Sequence, residues 1–180
     1  MPDKISTLLK KYKLNKKNYL PMDNGAFMYS GNIILTGMNL TSFKEFGELN
    51  IHTVSGNLLC SENKATTLVG LPTIVDGSFD CSFNLLTTLL GCPSYILSKF
   101  NCMGNKLTNL NHCPNIVAGD FICSNNEIII LDCINTKIGG TLDCRRNKLQ
   151  SLDGIPRIIL KGVLCEFNPI SMYEFYDRTF

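Results

Sequence analysis

A cysteine recurs every 21 residues through most of the chain, and this period constrains the fold more than any other feature of the sequence. The cysteines with this spacing are Cys60, Cys81, Cys102, Cys123, Cys144 and Cys165. A fixed period of about 20–50 residues is typical of solenoids, in which each repeat buries its apolar side against its neighbours. We therefore predict stacked coils with one repeat per 21 residues.

Two further positions keep the same period. An asparagine follows three residues after each cysteine, at Asn63, Asn84, Asn105, Asn126, Asn147 and Asn168. A bulky apolar residue precedes each cysteine by two, at Leu58, Phe79, Phe100, Phe121, Leu142 and Val163. Because side chains alternate along a strand, this apolar residue and the cysteine share the face that we predict to point inward. An asparagine amide both donates and accepts hydrogen bonds, so we predict a ladder of buried asparagines that satisfies backbone groups after each strand.

The cysteines could serve as metal ligands, disulfide partners, a nucleophile or core residues. The chain has nine cysteines, an odd number, and its N-terminus lacks the long apolar segment of a signal peptide. These features favour free thiols in a reducing compartment, and we expect a cytoplasmic protein. No C-x-x-C pair and no histidine at zinc-finger spacing is present, so we expect no metal and no cofactor. Cysteine packs as a small apolar residue when buried, which is the interpretation we favour.

Both ends of a solenoid need caps, and we predict a single domain over 1–180. The cap at 1–35 contains a helix and a hairpin, with Asp23, Asn24 and Gly25 in the hairpin turn. The helix has apolar residues at helical spacing with lysines between them, at Ile5, Leu8, Leu9, Tyr12 and Leu14. A cap explains this pattern better than a membrane-surface or nucleic-acid-binding helix. Repeats occupy 36–168, and 169–180 is predicted to form a C-terminal capping helix.

The unit has the pattern G-x-[FL]-x-C-x-x-N-x-[LI]-x-x-L-x-G-x-P-x-x-[IV]. Its Gly-x-Pro segment predicts an irregular convex side, or a single 3₁₀ turn, with one short strand per unit. One unit departs from the pattern, because residues 128–140 lack Gly-x-Pro and carry Cys133. Drift of the repeat explains this departure more simply than a local contact surface does.

The unit resembles a leucine-rich repeat, whose signature is L-x-L-x-x-N-x-L. With the hairpin, the segment "NLTSF" and the ending "FNPISMYEF", the chain is similar over about residues 18–178 to leucine-rich-repeat proteins of large tailed bacteriophages and some bacteria. This resemblance implies a compact right-handed solenoid, with short parallel strands on a concave sheet, and a protein-binding role. If the chain is phage-encoded, it implies an inhibitor or counter-defence factor that acts on a host protein in the host cytoplasm.

The variable positions of the strand side are the candidates for partner binding. We predict a protein-binding face formed by Phe83, Met103, Ile122, Arg145 and Arg146. Such a mixture of apolar residues and arginine is typical of binding faces. Self-association is the alternative, as in a structural or virion-associated repeat protein.

Other function classes find little support in the sequence, and we expect no enzyme. His52 and His112 lie at different repeat positions, while Asp80 and Asp143 are three units apart, about 14 Å at ordinary strand spacing and too far to act as a carboxylate pair. A net charge of +2 is too small to predict nucleic-acid binding. No apolar run reaches the roughly 20 residues of a membrane span, so we expect no membrane partner.

Overall fold

Residues 3–170 are described by the computed structural model, so most of the predicted C-terminal capping helix lies outside the described residues. The described chain contains one α-helix, α1, at Lys4–Lys11, and two 3₁₀ turns, at Lys16–Asn18 and Phe46–Leu49. The strands are β1 Tyr19–Pro21, β2 Phe27–Tyr29, β3 Ile33–Ile34, β4 Ile51–Val54, β5 Leu58–Leu59, β6 Ile74–Val75, β7 Phe79–Asp80, β8 Tyr95–Ile96, β9 Phe100–Asn101, β10 Ile116–Val117, β11 Phe121–Ile122, β12 Lys137–Ile138, β13 Thr141–Asp143, β14 Ile158–Ile159 and β15 Gly162–Leu164.

These strands form two sheets, and from β3 onward each coil contributes one strand to each. Sheet 1 has the order β1-β2-β4-β6-β8-β10-β12-β14, and sheet 2 has the order β3-β5-β7-β9-β11-β13-β15. Strands of neighbouring coils pair in parallel, with Phe79 opposite Phe100 and Phe100 opposite Phe121. The predicted solenoid of parallel strands with a 21-residue repeat is therefore confirmed.

The second strand of each coil was not predicted. It follows the proline of each regular unit, where the sequence predicted an irregular side, and it turns one β-branched residue inward, such as Val75, Ile96 or Val117. Each of these strands is only two residues long, but the ladder across many coils satisfies its backbone groups. The coil therefore has a sheet on two sides. The stretch between the ladder asparagine and the next proline forms its third side.

The core runs along the solenoid as rows of identical or similar side chains. The rings of Phe79 and Phe100 stack with centroids 5.4 Å apart, and those of Phe100 and Phe121 lie 4.8 Å apart. The six periodic cysteines are buried beside this aromatic row, and all nine cysteines of the chain are free thiols. Each coil thus covers the apolar side of the coil before it.

Helix α1 closes the N-terminal end of the solenoid. The Asp3 carboxylate accepts a hydrogen bond from the backbone N–H of Ser6 at 2.6 Å, which caps the first turn. Leu8 and Leu9 are buried, and the Tyr12 ring meets the Phe46 ring edge-on at 5.1 Å. The apolar face that a membrane-surface helix would need is therefore covered by the first coils.

A hairpin connects this helix to the solenoid. Strands β1 and β2 pair antiparallel, and the turn between them is closed by the backbone N–H of Met22, which donates to the carbonyl of Ala26 at 2.9 Å. The turn includes Gly25 at a φ of 78°, a conformation that favours glycine. Strand β2 then pairs in parallel with β4, so the hairpin continues sheet 1 at its N-terminal edge.

Candidate binding surface

The ladder asparagines occupy the turn that follows each strand of sheet 2. The Asn105 amide donates to the carbonyls of Cys81 and Cys102, at 3.1 and 3.0 Å. Its oxygen accepts from the backbone N–H of Leu86 at 3.0 Å. Asn84 and Asn126 make the same contacts one coil earlier and one coil later. Each amide therefore joins two coils and satisfies buried backbone groups that have no strand partner.

The periodic cysteines are held as neutral thiols by their surroundings. Burial, with smaller contributions from neighbouring acidic groups, raises the pKa of Cys60, Cys81 and Cys123 well above the ordinary thiol value. Burial likewise raises the pKa of Cys144 to about 12. Because the thiolate is the reactive form of cysteine, these side chains are poor nucleophiles at neutral pH.

The residue immediately before each ladder asparagine has a left-handed backbone, and we call these residues the turn row. The turn row consists of Glu62, Phe83, Gly104, Asn125, Arg146 and Phe167, with φ between 53° and 69°. Glycine and asparagine adopt this conformation readily, but a bulky side chain there is an outlier. Phe83 is nevertheless 54% exposed and Phe167 is 71% exposed. The turn row thus presents aromatic side chains to solvent from strained positions.

The turn row also makes contacts along the solenoid. A Cβ added at Gly104 would lie 2.8 Å from a ring carbon of Phe83, so the Phe83 ring lies across the next turn. Two coils further on, the guanidinium of Arg146 lies 4.6 Å from the ring centroid of Phe167, a cation–π contact. The ring of Phe83 keeps more than half of its surface free despite its neighbour.

Beside the turn row lies the outward surface of sheet 2, which carries two more of the predicted binding residues. Ile122 is on β11 and Met103 lies two residues after β9, and both are half-buried. On the neighbouring strand β7, Asp80 accepts hydrogen bonds from the Ser82 hydroxyl at 2.6 Å and from the Asn101 amide at 3.3 Å. The surface therefore combines apolar side chains with polar groups that are already paired.

Arg145 has a different environment from its neighbour Arg146. Its guanidinium donates to both carboxylate oxygens of Asp143, at 2.9 and 2.7 Å. Burial alone would raise the pKa of the Asp143 carboxyl, but the hydrogen bonds and the charge of Arg145 outweigh it and hold that pKa below its ordinary value. Arg145 is thus the counterion of a buried carboxylate. Charge reversal at Arg145 is therefore expected to disturb the fold as well as any binding at this surface.

The five residues predicted for binding lie on four consecutive coils, those of β7, β9, β11 and β13. Ile122 belongs to a strand of sheet 2, and Met103 and Arg145 lie two residues after such strands, while Phe83 and Arg146 lie in the turn row. Neighbouring coils are about 4.8 Å apart, so the set extends over about 14 Å. One partner can contact all of these coils together. The sequence signal for the turn row was Gly104 and Asn125, residues that tolerate a left-handed backbone.

Within residues 3–170 alone, the structure bears on two other features, a metal site and a membrane-spanning helix. That range contains no group of three or more His, Cys, Asp or Glu side chains that could hold a metal ion. The same range has no helix of the length and apolar character that crossing a membrane requires. His52 contacts the hydroxyl of its neighbour Thr53 at 3.1 Å, and His112 lies in an exposed turn.

Comparison with known proteins leaves the family of this chain open. No model of a protein family matches the sequence, and a search of curated proteins finds no significant match.

Proposed function

We propose that this protein is a non-enzymatic binding module that holds another protein against the turn row and the adjoining outer surface of sheet 2. The observation that carries the proposal is Phe83, a bulky aromatic residue with a left-handed backbone and more than half of its surface exposed. Gly104 and Asn125 occupy the same position in the following coils, so the fold itself does not require an aromatic there.

The energetics of this position support a role outside folding. A left-handed backbone costs a residue with a side chain roughly 1–2 kcal/mol. An exposed ring offsets only part of this cost, because it stays in contact with water. Strained residues that persist in a stable fold cluster at functional sites. A partner that covers the Phe83 ring would supply the missing stabilisation.

The chemistry around Phe83 indicates what such a partner presents. Met103 and Ile122 extend the apolar surface over the next two coils, and Arg146 adds an exposed positive charge at its far end. Aromatic residues, methionine and arginine are enriched in protein interfaces. A complementary partner therefore offers an apolar patch with a carboxylate near one edge. The resemblance to phage repeat proteins makes a host protein the first class of partner to test, with inhibition or counter-defence as the proposed result of binding.

Self-assembly is the second candidate, and one observation favours it. Leu160 follows β14 on the last described coil and is 74% exposed, beside Ile158 at 44%. Such a surface could pair with another copy of the chain. Light scattering of the purified protein distinguishes the two, since self-assembly predicts a mass that grows with concentration and a module for a different partner predicts a constant monomer mass.

The binding proposal is tested with two matched variants. Phe83→Asn removes an exposed apolar side chain from the turn row, and Ile129→Asn removes one from the third side, where Ile129 is 51% exposed. Immobilised wild-type protein and both variants are exposed to a host lysate, and the captured protein is then purified and titrated by calorimetry. We expect Phe83→Asn to weaken binding by about tenfold or more, as hot-spot residues do, and Ile129→Asn to leave it unchanged. Equal affinity of all three proteins would contradict the proposal.

A further inference from the structure

The irregular unit brings two cysteines together in neighbouring coils. The residue that starts the turn before sheet 1 has a left-handed backbone at Gly70, Gly91, His112 and Gly154. Cys133 takes this position in the irregular unit, where its backbone N–H instead donates to the carbonyl of Leu131 at 2.6 Å. The changed backbone path turns the Cys133 side chain inward, and the residue is 2% exposed.

Cys113 of the preceding coil is its direct neighbour. The Cys133 side chain is close enough to the Cys113 sulfur to influence its pKa through a hydrogen bond. The coils keep their 21-residue register on both sides of this contact, where Asn109 faces Ile130 and Ile116 faces Lys137. Counted by this register, Cys133 is one residue off the position directly opposite Cys113, and neighbouring strands are about 4.8 Å apart. This separation lies within the range of about 4.4–6.8 Å that a disulfide spans.

A hydroxyl completes the surroundings of Cys113. Its sulfur lies 3.0 Å from the Thr136 hydroxyl, which itself donates to the carbonyl of Pro114 at 2.8 Å. The hydrogen bond from Cys133 is the largest influence on Cys113, and it lowers the pKa of the Cys113 thiol to about 7 despite the opposing effects of burial and the nearby Asp132 carboxylate. The same hydrogen bond, together with burial, raises the pKa of Cys133. Cys113 is half-buried whereas Cys133 is buried, so Cys113 is the more accessible residue of the pair.

We propose that Cys113 and Cys133 form a redox site, in which a hydroperoxide oxidises the two thiols to a disulfide that joins neighbouring coils. The Cys113 thiolate attacks one peroxide oxygen and breaks the O–O bond, which gives a sulfenic acid and one water molecule or alcohol. The Cys133 sulfur then attacks the Cys113 sulfur, and the S–O bond breaks. The departing hydroxide takes the proton of Cys133 and leaves as water. The two thiols thus lose two electrons and two protons, and the peroxide is reduced.

Cys92 provides a matched comparison within the same chain. It occupies the position of Cys113 one coil earlier and is half-buried in the same way. Cys133 lies in the coil after Cys113, one residue before the position equivalent to Cys113. The residue that stands in the same relation to Cys92 is His112. Burial raises the pKa of the Cys92 thiol well above its ordinary value. The difference between the two sites therefore reports the combined contribution of Cys133 and Thr136.

The test treats the reduced, native protein with one equivalent of hydrogen peroxide and maps the products by mass spectrometry. Cleavage after lysine and before aspartate places Cys113, Cys123 and Cys133 on three separate peptides. We expect a cross-link between the peptides of Cys113 and Cys133 and a mass loss of two hydrogens, with the same result for Cys92→Ser. In Cys133→Ser the cross-link should disappear, while Cys113 accumulates the higher oxides that a sulfenic acid without a partner forms.

Native alkylation by iodoacetamide at pH 7 supplies a measurement that needs no variant. We expect Cys113 to react roughly tenfold or more faster than Cys92, because a much larger fraction of it is thiolate. Equal rates at the two cysteines would overturn the proposal. A disulfide that maps to another pair, such as Cys81 and Cys102, would overturn it as well.

Discussion

Two rows of residues lie side by side in the same turn and follow different rules. The ladder row has asparagine in all six coils, and each amide joins buried carbonyl and N–H groups of two coils. The turn row, one residue earlier, holds five different residue types with the same backbone conformation. The residue type is therefore restricted where buried backbone groups need a partner. Where the side chain faces solvent the fold accepts many residues, and an exposed Phe83 there points to something outside the fold.

The largest effect is expected from pH, because several buried thiols of the interior rows titrate together. Several periodic thiols have a folded pKa above the unfolded value of about 8.5, so the stability they contribute is fully present below that pH and is lost as the pH rises toward the folded pKa. For Cys144 this window ends near pH 12. Urea unfolding in reducing buffer should show a loss of about 1.4 kcal/mol per pH unit for each such thiol.

A cysteine variant checks the origin of this loss. Cys102→Ala removes one of the thiols. Its free energy of unfolding should therefore fall less steeply with rising pH than that of the wild type, by about 1.4 kcal/mol per pH unit. A stability that stays constant between pH 8 and pH 10 would show that the interior thiols are not held neutral.

The same substitution, phenylalanine to alanine, can be made in the interior and in the turn row. Phe100 is fully buried between Phe79 and Phe121, so Phe100→Ala should lower the free energy of unfolding by about 3–5 kcal/mol. Phe83→Ala should lower it by less than about 1 kcal/mol, since the ring is mostly exposed. Thermal and urea unfolding of the two variants measure the difference. Similar losses in both would remove the distinction between the rows.

The ladder is tested by two adjacent residues. Asn105→Ala leaves the N–H of Leu86 and the carbonyls of Cys81 and Cys102 without their amide partner, at about 1–3 kcal/mol for an unsatisfied buried group. Lys106→Ala changes an exposed side chain and should stay within about 0.5 kcal/mol. If Asn105→Ala proves as mild as Lys106→Ala in urea unfolding, the ladder contributes no stability.

Arg145 and Arg146 extend the comparison to charge. Arg145→Gln removes the partner of the buried Asp143 carboxylate and should cost about 1–2 kcal/mol at neutral pH, whereas Arg146→Gln should cost no more than about 0.5 kcal/mol. The Asp143 pKa is lowered in the folded state, so this stabilisation is present above the unfolded pKa of about 3.9 and is lost as the pH falls through the folded pKa. The gap between the two variants should therefore close in acid. A gap that is absent at pH 7 would mean that the ion pair does not stabilise the fold.

The parts of the fold that repeat with every coil could be predicted from the sequence. The exact period places Phe100, Cys102 and Asn105 in the same environment as their equivalents, so one unit explains six. The second sheet was missed because two-residue strands such as Tyr95–Ile96 show too little alternation to be distinguished from a turn. Longer-range stacking across coils stabilises them instead.

The candidate site was predictable only in part, for a related reason. The residue positions could be predicted from the repeat, but the only signal for the left-handed turn row was Gly104 and Asn125, because Phe83 and Arg146 are residues that avoid this conformation. The Asp143–Arg145 pair could have been found, since residues two apart on a strand share one face. The contact between Cys113 and Cys133 depends on a changed backbone path that no local pattern indicates.

The most direct measurement of the central claim replaces Phe83 by asparagine and determines both the free energy of unfolding and the affinity for the captured partner. Asparagine already occupies the turn row at position 125, so this substitution relieves backbone strain. The account predicts that the free energy of unfolding stays the same or rises by up to about 1 kcal/mol, while the affinity for the partner falls by about tenfold or more. A variant that binds its partner as tightly as the wild type, or that loses more than about 1 kcal/mol of stability, would contradict the claim that Phe83 serves a partner and not the fold.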